Sequence, residues 1–320
     1  MSARSAPASR PAPAGPGALQ VPSDRAETNR VVEAAPPPAA SAPVRSTDPG
    51  GPERFAFGDN WEAFLEVVGP ERVAAAERGL RDLLGTPVEG CSFLDAGSGS
   101  GLSSLAALRL GAGRVHSFDL DPASVRATGE LRRCWGAGAG DWTVERGDVL
   151  DTGYLASLGR YDVVHSWGVL HHTGRMWDAL ENVSTAVAPG GLLAVALYND
   201  QGGMSRVWRV VKRTYNRLPR PLRTPYAVAV MAPRELKFVL LAKLARRLGT
   251  RVRGYTRHRD RRGMSRWHDL LDWVGGYPFE TAAPDAVFGF LHRRGFALTG
   301  LVTRQGIGCN EFVFRRDGGG

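Results

Sequence analysis

Phe93-Leu94-Asp95-Ala96-Gly97-Ser98-Gly99-Ser100-Gly101 is the stretch that decides the fold of this 320-residue chain. Apolar residues run into an acid, glycines follow at every second position, and Leu102 to Leu110 continues with helical spacing. That order describes a buried strand, a tight turn and the start of a helix. Together they make one ligand-binding corner of an open α/β sheet. Glycine has no Cβ, so the backbone of this turn can approach a ligand closely.

A dinucleotide corner uses G-x-G-x-x-G and sets the pyrophosphate on the helix N-terminus. Here the spacing is G-x-G-x-G, and Asp95 stands two residues before the first glycine. A carboxylate at that point repels phosphate and attracts an ammonium group. S-adenosylmethionine (SAM) carries an ammonium and no phosphate, so the charge pattern favours it over NAD. At these residues the chain resembles the class I SAM-dependent methyltransferases, whose first motif is D/E-x-G-x-G-x-G. Asp95, Gly97, Gly99 and Gly101 match it position for position. The resemblance implies an α/β, Rossmann-like sheet of seven strands in the order 3-2-1-4-5-7-6, strand 7 antiparallel, with helices on both faces. It also implies SAM as cofactor and places Ser98 of the glycine turn in the cofactor pocket.

Outward from the motif, the later strands fit the same scheme. Arg114 to Asp119 reads as strand two, and its acid lies 18 residues past Gly101. A carboxylate at about that spacing can accept both ribose hydroxyls. Pro122 suits the first position of a helix running to about Trp135, with Asp121 as its N-cap. Asp119 is therefore read as the ribose ligand and Asp121 as the cap, the exchanged assignment being the alternative. The resemblance adds Leu120 to the pocket wall. Strand three is Trp142 to Arg146, and Gly147-Asp148-Val149 follows. In the resembled family an Asp here takes the adenine amino group and the next backbone N–H meets a ring nitrogen, which points to Asp148 and Val149. Strand four is Tyr161 to Ser166. The segment from Ser166 to His172 resembles the S-x-x-V-L-H-H segment of the ubiquinone/menaquinone-type methyltransferases, and Ser166 joins the cofactor set on that resemblance. Met176 to Ala188 reads as a helix ended by Pro189-Gly190-Gly191, and Leu192 to Tyr198 as strand five. Pro284 to Arg294 is a helix, Phe296 to Thr303 strand six and Asn310 to Arg315 strand seven.

Upstream, Met1 to Pro52 is rich in Ala, Pro, Ser and Gly and holds too few apolar residues to offset its ordering entropy. It is read as a disordered tail, leaving 53–320 as the catalytic domain. Trp61, Phe64, Leu65 and Val68 recur at helical spacing, and Val73 to Leu84 forms a second helix after a break at Gly69-Pro70. Trp61 is a lid residue or a plain packing residue.

The net charge of +9 is unevenly spread. Gln201 to Arg266 holds 19 Lys and Arg against two acids, a local charge of +17, so the rest of the chain is acidic at −8. Residues 201–266 are read as a basic helical cap inserted after strand five, with Pro219, Pro221 and Pro225 as interruptions. Cys91, Cys134 and Cys309 show neither C-x-x-C nor metal spacing, which fits ordinary thiols in a reducing compartment. With no run of 18 apolar residues and no signal-like start, a cytoplasmic location is expected.

Methyl transfer from a sulfonium is an in-line displacement in which protein mainly aligns the partners and excludes water. A base is needed where the acceptor must lose a proton. His172 ranks first for that role, His171 second, and His268, on a helix after the insertion, third. Adjacent residues of an extended stretch point opposite ways, so one of His171 and His172 should face the pocket. No metal is invoked. The resulting expectation is methyl transfer to a small organic acceptor, most often at a hydroxyl oxygen, and the basic cap suggests that the acceptor is anionic. An RNA substrate, peripheral contact with a membrane through the insertion, and a non-catalytic SAM-binding role are the alternatives. Oligomeric state is not legible.

Overall fold

The computed structural model describes residues 68–136, 140–247, 273–306 and 308–318, the stretch 234–247 as backbone only. The tail, Trp61 and its helix, the charge run at 251–262 and His268 lie outside the described residues.

Seven strands form one sheet: β1 Ser92–Ala96, β2 Arg114–Asp119, β3 Asp141–Arg146, β4 Tyr161–Trp167, β5 Val187–Tyr198, β6 Phe296–Val302 and β7 Cys309–Arg316. Their order is 3-2-1-4-5-7-6. β7 pairs antiparallel with both β5 and β6, and the remaining pairs are parallel. Between them run α1 Pro70–Leu84, α2 Leu102–Arg109, α3 Pro122–Trp135, α4 Thr152–Leu158 and α5 Met176–Thr185. A 3-10 turn, Leu170–His172, precedes α5. After β5 come α6 Gly203–Arg217, α7 Arg220–Arg247 and α8 Pro284–His292.

The sheet is covered on both faces because successive strand residues point opposite ways. Phe93, Val115 and Val163 pack with α1, α2 and α3, while Leu94, Phe118 and Val164 pack with α4, α5 and α8. Burying a Phe or Leu contributes roughly 1.5–3 kcal/mol, so a one-residue slip of β1 would misplace both faces at once. Chain order reverses between β1 and β4, which opens a crevice beyond their carboxyl ends.

Three expectations need correction. The helix expected from Val73 begins three residues earlier: Gly69 is its N-cap and Pro70 opens α1 in the first turn, where a missing N–H costs nothing. The Pro189-Gly190-Gly191 turn lies inside β5: Tyr161 pairs with Val187 and Val163 with Leu192, so extra residues bulge out of the strand. Gly190 takes φ 76°, and a Cβ on Gly191 would lie 2.8 Å from the Asp162 carbonyl. Pro225 does not interrupt the insertion. It and Pro233 lie inside α7, both exposed, so the carbonyls they free can meet water.

Candidate active site

The ends of β1 and β2 meet at the glycine turn. Gly97, Gly99 and Gly101 have φ of 82°, 55° and 78°, values that L side chains resist. The Gly97 and Ser98 N–H groups donate to the Phe118 carbonyl at 2.9 and 3.0 Å. Ser98 and Thr128 share a hydrogen bond of 3.0 Å, and Thr128 donates to the Gly99 carbonyl at 3.1 Å. The turn is thereby closed onto β2 and α3. A Cβ on Gly97 would lie 2.4 Å from Val169, and one on Gly101 2.8 Å from Thr128. Gly97 thus lets the loop after β4 sit against the loop after β1.

Asp119 accepts the Gly99 N–H at 3.0 Å on one carboxylate oxygen and the Asp121 N–H at 2.9 Å on the other. Burial pushes its carboxyl up to about 6, against those two hydrogen bonds, which favour the charged form. Asp121 caps α3 by accepting the Ala123 N–H at 2.9 Å. Asp121 is therefore the capping acid, as expected, and Asp119 is the acid that ties the glycine turn to the end of β2. Leu120 lies half-buried between them, its carbonyl taking a hydrogen bond from Arg146 at 3.2 Å. Beyond β3, Asp148 closes a turn by accepting the Leu150 N–H at 2.8 Å, and the Val149 side chain is buried in the core.

Asp95 is 2% exposed, and its carboxylate is turned into the sheet. One oxygen accepts from His165 Nδ1 at 2.9 Å and the other from the Ser104 hydroxyl at 2.5 Å. Ser104 in turn accepts from Ser117 at 2.7 Å, and Ser117 from Trp142 Nε1 at 2.7 Å. All donors in this chain run one way, from β3 through β2 and α2 to β1, with β4 adding the histidine. Ser166 also turns inward, donating to the Ala96 carbonyl at 2.8 Å. These two predicted pocket side chains therefore shape the strand ends from within.

Beyond β4, His171 and His172 lie on the 3-10 turn, not on an extended stretch, and their rings are neighbours with centroids 4.5 Å apart. His171 is 1% exposed, its ring tilted 37° against that of Tyr198 with centres 3.9 Å apart, and its Nδ1 accepts the Tyr198 N–H at 3.3 Å. His172 is half-buried and donates from Nδ1 to the Pro278 carbonyl at 2.7 Å. A carbonyl can only accept, so the neutral ring has Nε2 as its basic nitrogen.

Two residues around these histidines escaped the sequence reading. Glu280 accepts the Met176 N–H at 3.0 Å, capping α5 from a distant segment, and its own N–H donates to the His171 carbonyl at 3.0 Å. Burial raises its carboxyl to about 7. Lys212 of α6 is fully buried and donates to the Trp273 carbonyl. Its ammonium lies 4.4, 4.9 and 5.4 Å from the ring centres of Trp273, Phe279 and Tyr198. The only sequence sign of Lys212 was its place four residues after Trp208 and three before Tyr215, on the aromatic face of the helix. Glu280 had none, because it acts across a long gap in sequence. Among the described residues no three His, Cys, Asp or Glu gather as metal ligands.

A methyltransferase domain model matches residues 94–193. The ubiquinone biosynthesis O-methyltransferase of Caulobacter sp. (strain K31) is 31% identical over 174 residues, which cover 50% of this chain and 67% of that protein. The chain belongs to the class I SAM-dependent methyltransferases. The ribosomal protein L11 methyltransferase of Anoxybacillus flavithermus is 34% identical over 89 residues, 23% of this chain and 28% of that one. The chain thus spans less than a third of that protein. Among solved structures, the magnesium protoporphyrin IX methyltransferase of Synechocystis PCC 6803 with bound SAH has a TM-score of 0.48 at 14% identity, covering 81% of this chain and 94% of that one.

The methyl donor of this methyltransferase is SAM, and the chemistry of the corner suits it. Carboxylates stand at or just past the ends of three neighbouring strands, Asp95, Asp119 and Asp148. Asp95 is taken up by Ser104 and His165, whereas carboxylates such as Asp119 and Asp148 favour a ligand with hydroxyl and amine hydrogens over one with phosphates. The described residues include no helix long and apolar enough to cross a membrane.

Proposed function

We propose that this methyltransferase transfers the methyl group of SAM to a hydroxyl oxygen of a small organic acceptor, with His172 as the general base. The observation that carries this reading is the His172 Nδ1–H bond to Pro278, which leaves Nε2 as the nitrogen that can take a proton. The resemblance to a ubiquinone biosynthesis O-methyltransferase supports an oxygen acceptor, and the local charge of +17 after β5 supports an acceptor with negative charge.

SAM supplies an electrophilic methyl on a positively charged sulfur. Asp119 accepts the ribose hydroxyls, Asp148 accepts from the adenine amino group, and the Val149 N–H donates to the ring. Gly97, Ser98, Gly99 and Gly101 let backbone lie along the ligand, and Asp95 holds the turn through Ser104 and His165. Leu120 borders the ribose site. His172 Nε2 takes the acceptor's hydroxyl proton as the oxygen–carbon bond forms and the carbon–sulfur bond breaks. With the bonding pair left on the departing thioether, His172 would hold the proton and the positive charge as imidazolium. His171 supports this ring from the buried side, and Tyr198 forms the wall behind both.

The test is release of S-adenosylhomocysteine from labelled SAM across a panel of catechols, phenols and hydroxy acids. Replacing His172 with Asn keeps a donor for Pro278 and removes the base. It should lower kcat by about 10²–10⁴-fold, the usual contribution of general base catalysis, with SAM affinity unchanged in calorimetry. Full activity of that variant would remove His172 from the mechanism.

A further inference from the structure

The two helices that follow β5 present an unusual outer surface. On α6 the buried side holds three polar residues, Ser205, Lys212 and Asn216, beside Tyr215, while on the outside Met204, Val207 and Val210 are 52%, 54% and 65% exposed. Exposed Arg206, Arg213 and Arg217 lie alongside that apolar stripe. On α7, Leu222 and Val228 are 52% and 46% exposed. Proline, alanine and threonine complete the outer face as far as Pro233. Arg220, the first residue of α7, is exposed and joins the bordering arginines, whereas Arg223 turns inward to the carbonyls of Leu218 and Asn216 at 3.0 Å each. The result is an uncharged, largely apolar surface bordered by arginines, within a segment of charge +17.

Water solvates this surface poorly, and an amphipathic arrangement of this kind suits the boundary between headgroups and acyl chains. We propose that the outer face of α6 and α7 docks the methyltransferase onto an anionic lipid bilayer. The arginines meet the headgroup phosphates, and Val207, Val210, Leu222 and Val228 enter the acyl boundary. Charge separates this partner from two others. A second copy of the chain would bring two segments of +17 together. A nucleic acid would engage the arginines and leave the apolar stripe in water. The proposal stands apart from the identity of the acceptor and of the base.

The full chain is sedimented with vesicles of phosphatidylcholine alone and of phosphatidylcholine with about 30% phosphatidylglycerol, an anionic content that gives a substantial surface potential. Binding is expected to the anionic vesicles only, and it should weaken at least about tenfold as salt rises from about 50 to about 300 mM. The double substitution L222E/V228E should weaken binding at least about tenfold again, since two carboxylates would enter the headgroup region. SAM affinity and thermal midpoint should stay as in the parent, because both side chains are exposed. A milder pair, L222S/V228S, gives an intermediate loss and guards against misfolding of the first. Absence of vesicle binding, equal binding to neutral vesicles, or unaltered binding by L222E/V228E would overturn the proposal. So would a parent dimer in light scattering that the substitution splits, or an RNA oligomer whose binding it weakens to the same extent. Loss of SAM binding in the parent would instead strike the cofactor reading and leave this one in place.

Discussion

At the scale of single residues, the acids of the cofactor corner divide by what their oxygens touch. Asp95 is locked to Ser104 and His165, Asp121 caps a helix, and Asp119 accepts from two backbone donors at the glycine turn. If Asp119 accepts the ribose hydroxyls, it must be ionised to do so, and burial places its carboxyl at about 6. SAM affinity should therefore rise as pH increases through about 6 and level off above it. The Asp119→Asn variant should lose that step and bind SAM weaker by about 1–3 kcal/mol at neutral pH. Calorimetry of parent and variant from pH 5 to pH 8 separates this group from titration of the ligand itself. Asp119 was singled out in the sequence by its distance to the glycines, the spacing that ribose recognition uses. His165 was not: inside Tyr-Asp-Val-Val-His-Ser it reads as one polar residue in a buried strand. Its meaning comes from Asp95 on the neighbouring strand, 70 positions away. Local periodicity carries no information about such a partner.

At the scale of elements, close approach at glycines is what brings separate loops to one place. Gly97 leaves room for Val169, the residue just before the turn that bears His171 and His172. In Gly97→Ala the new Cβ would sit 2.4 Å from a Val169 methyl carbon, in a backbone conformation with φ 82° that alanine resists. One loop must move. The expected outcome is a loss of kcat at least as large as the loss of SAM affinity, because the histidine turn shifts together with the glycine turn. A variant with weaker SAM binding and parental kcat would show that the two loops are independent. The strands themselves were readable to within a residue or two at most ends, since β1, β2 and β4 are short runs with apolar residues closed by an acid or a glycine. The exceptions are instructive. β5 begins at Val187, ahead of the predicted Leu192, because strand pairing with Tyr161 continues across a proline-glycine bulge. Turn chemistry marks where a chain bends, and a bulge bends without leaving the sheet. Likewise the proline signal in α7 is overridden once both prolines face water.

At the scale of the whole molecule, the insertion and the sheet are coupled through Glu280, which joins α5, the histidine turn and the segment after the insertion. Its carboxyl is raised from 4.5 to about 7 in the folded chain. The folded state therefore holds a proton that the unfolded state releases at lower pH. This group's contribution to stability is present below about 4.5 and is lost as pH rises through about 7. Glu280→Gln keeps an acceptor for the α5 N–H groups and removes the titration. Its thermal midpoint should thus exceed that of the parent at pH 8 by more than it does at pH 5. Equal differences at both pH values, followed by scanning calorimetry, would mean that Glu280 does not titrate in this range. The insertion also meets the sheet at a narrow base. Asn199 bridges to Ala282, and the Ala282 N–H donates to the Tyr198 carbonyl at 3.0 Å, so the chain leaves and returns at one point of the sheet edge. Most of the 82 residues between those bridge partners form a closed loop as far as the strands are concerned. Closure entropy grows only with the logarithm of loop length. Evolution can accordingly lengthen, shorten or recompose this appendage at little thermodynamic cost, provided that the staple at its root is kept. A catalytic scaffold of this kind can acquire a new address or a new clientele without redesigning its engine.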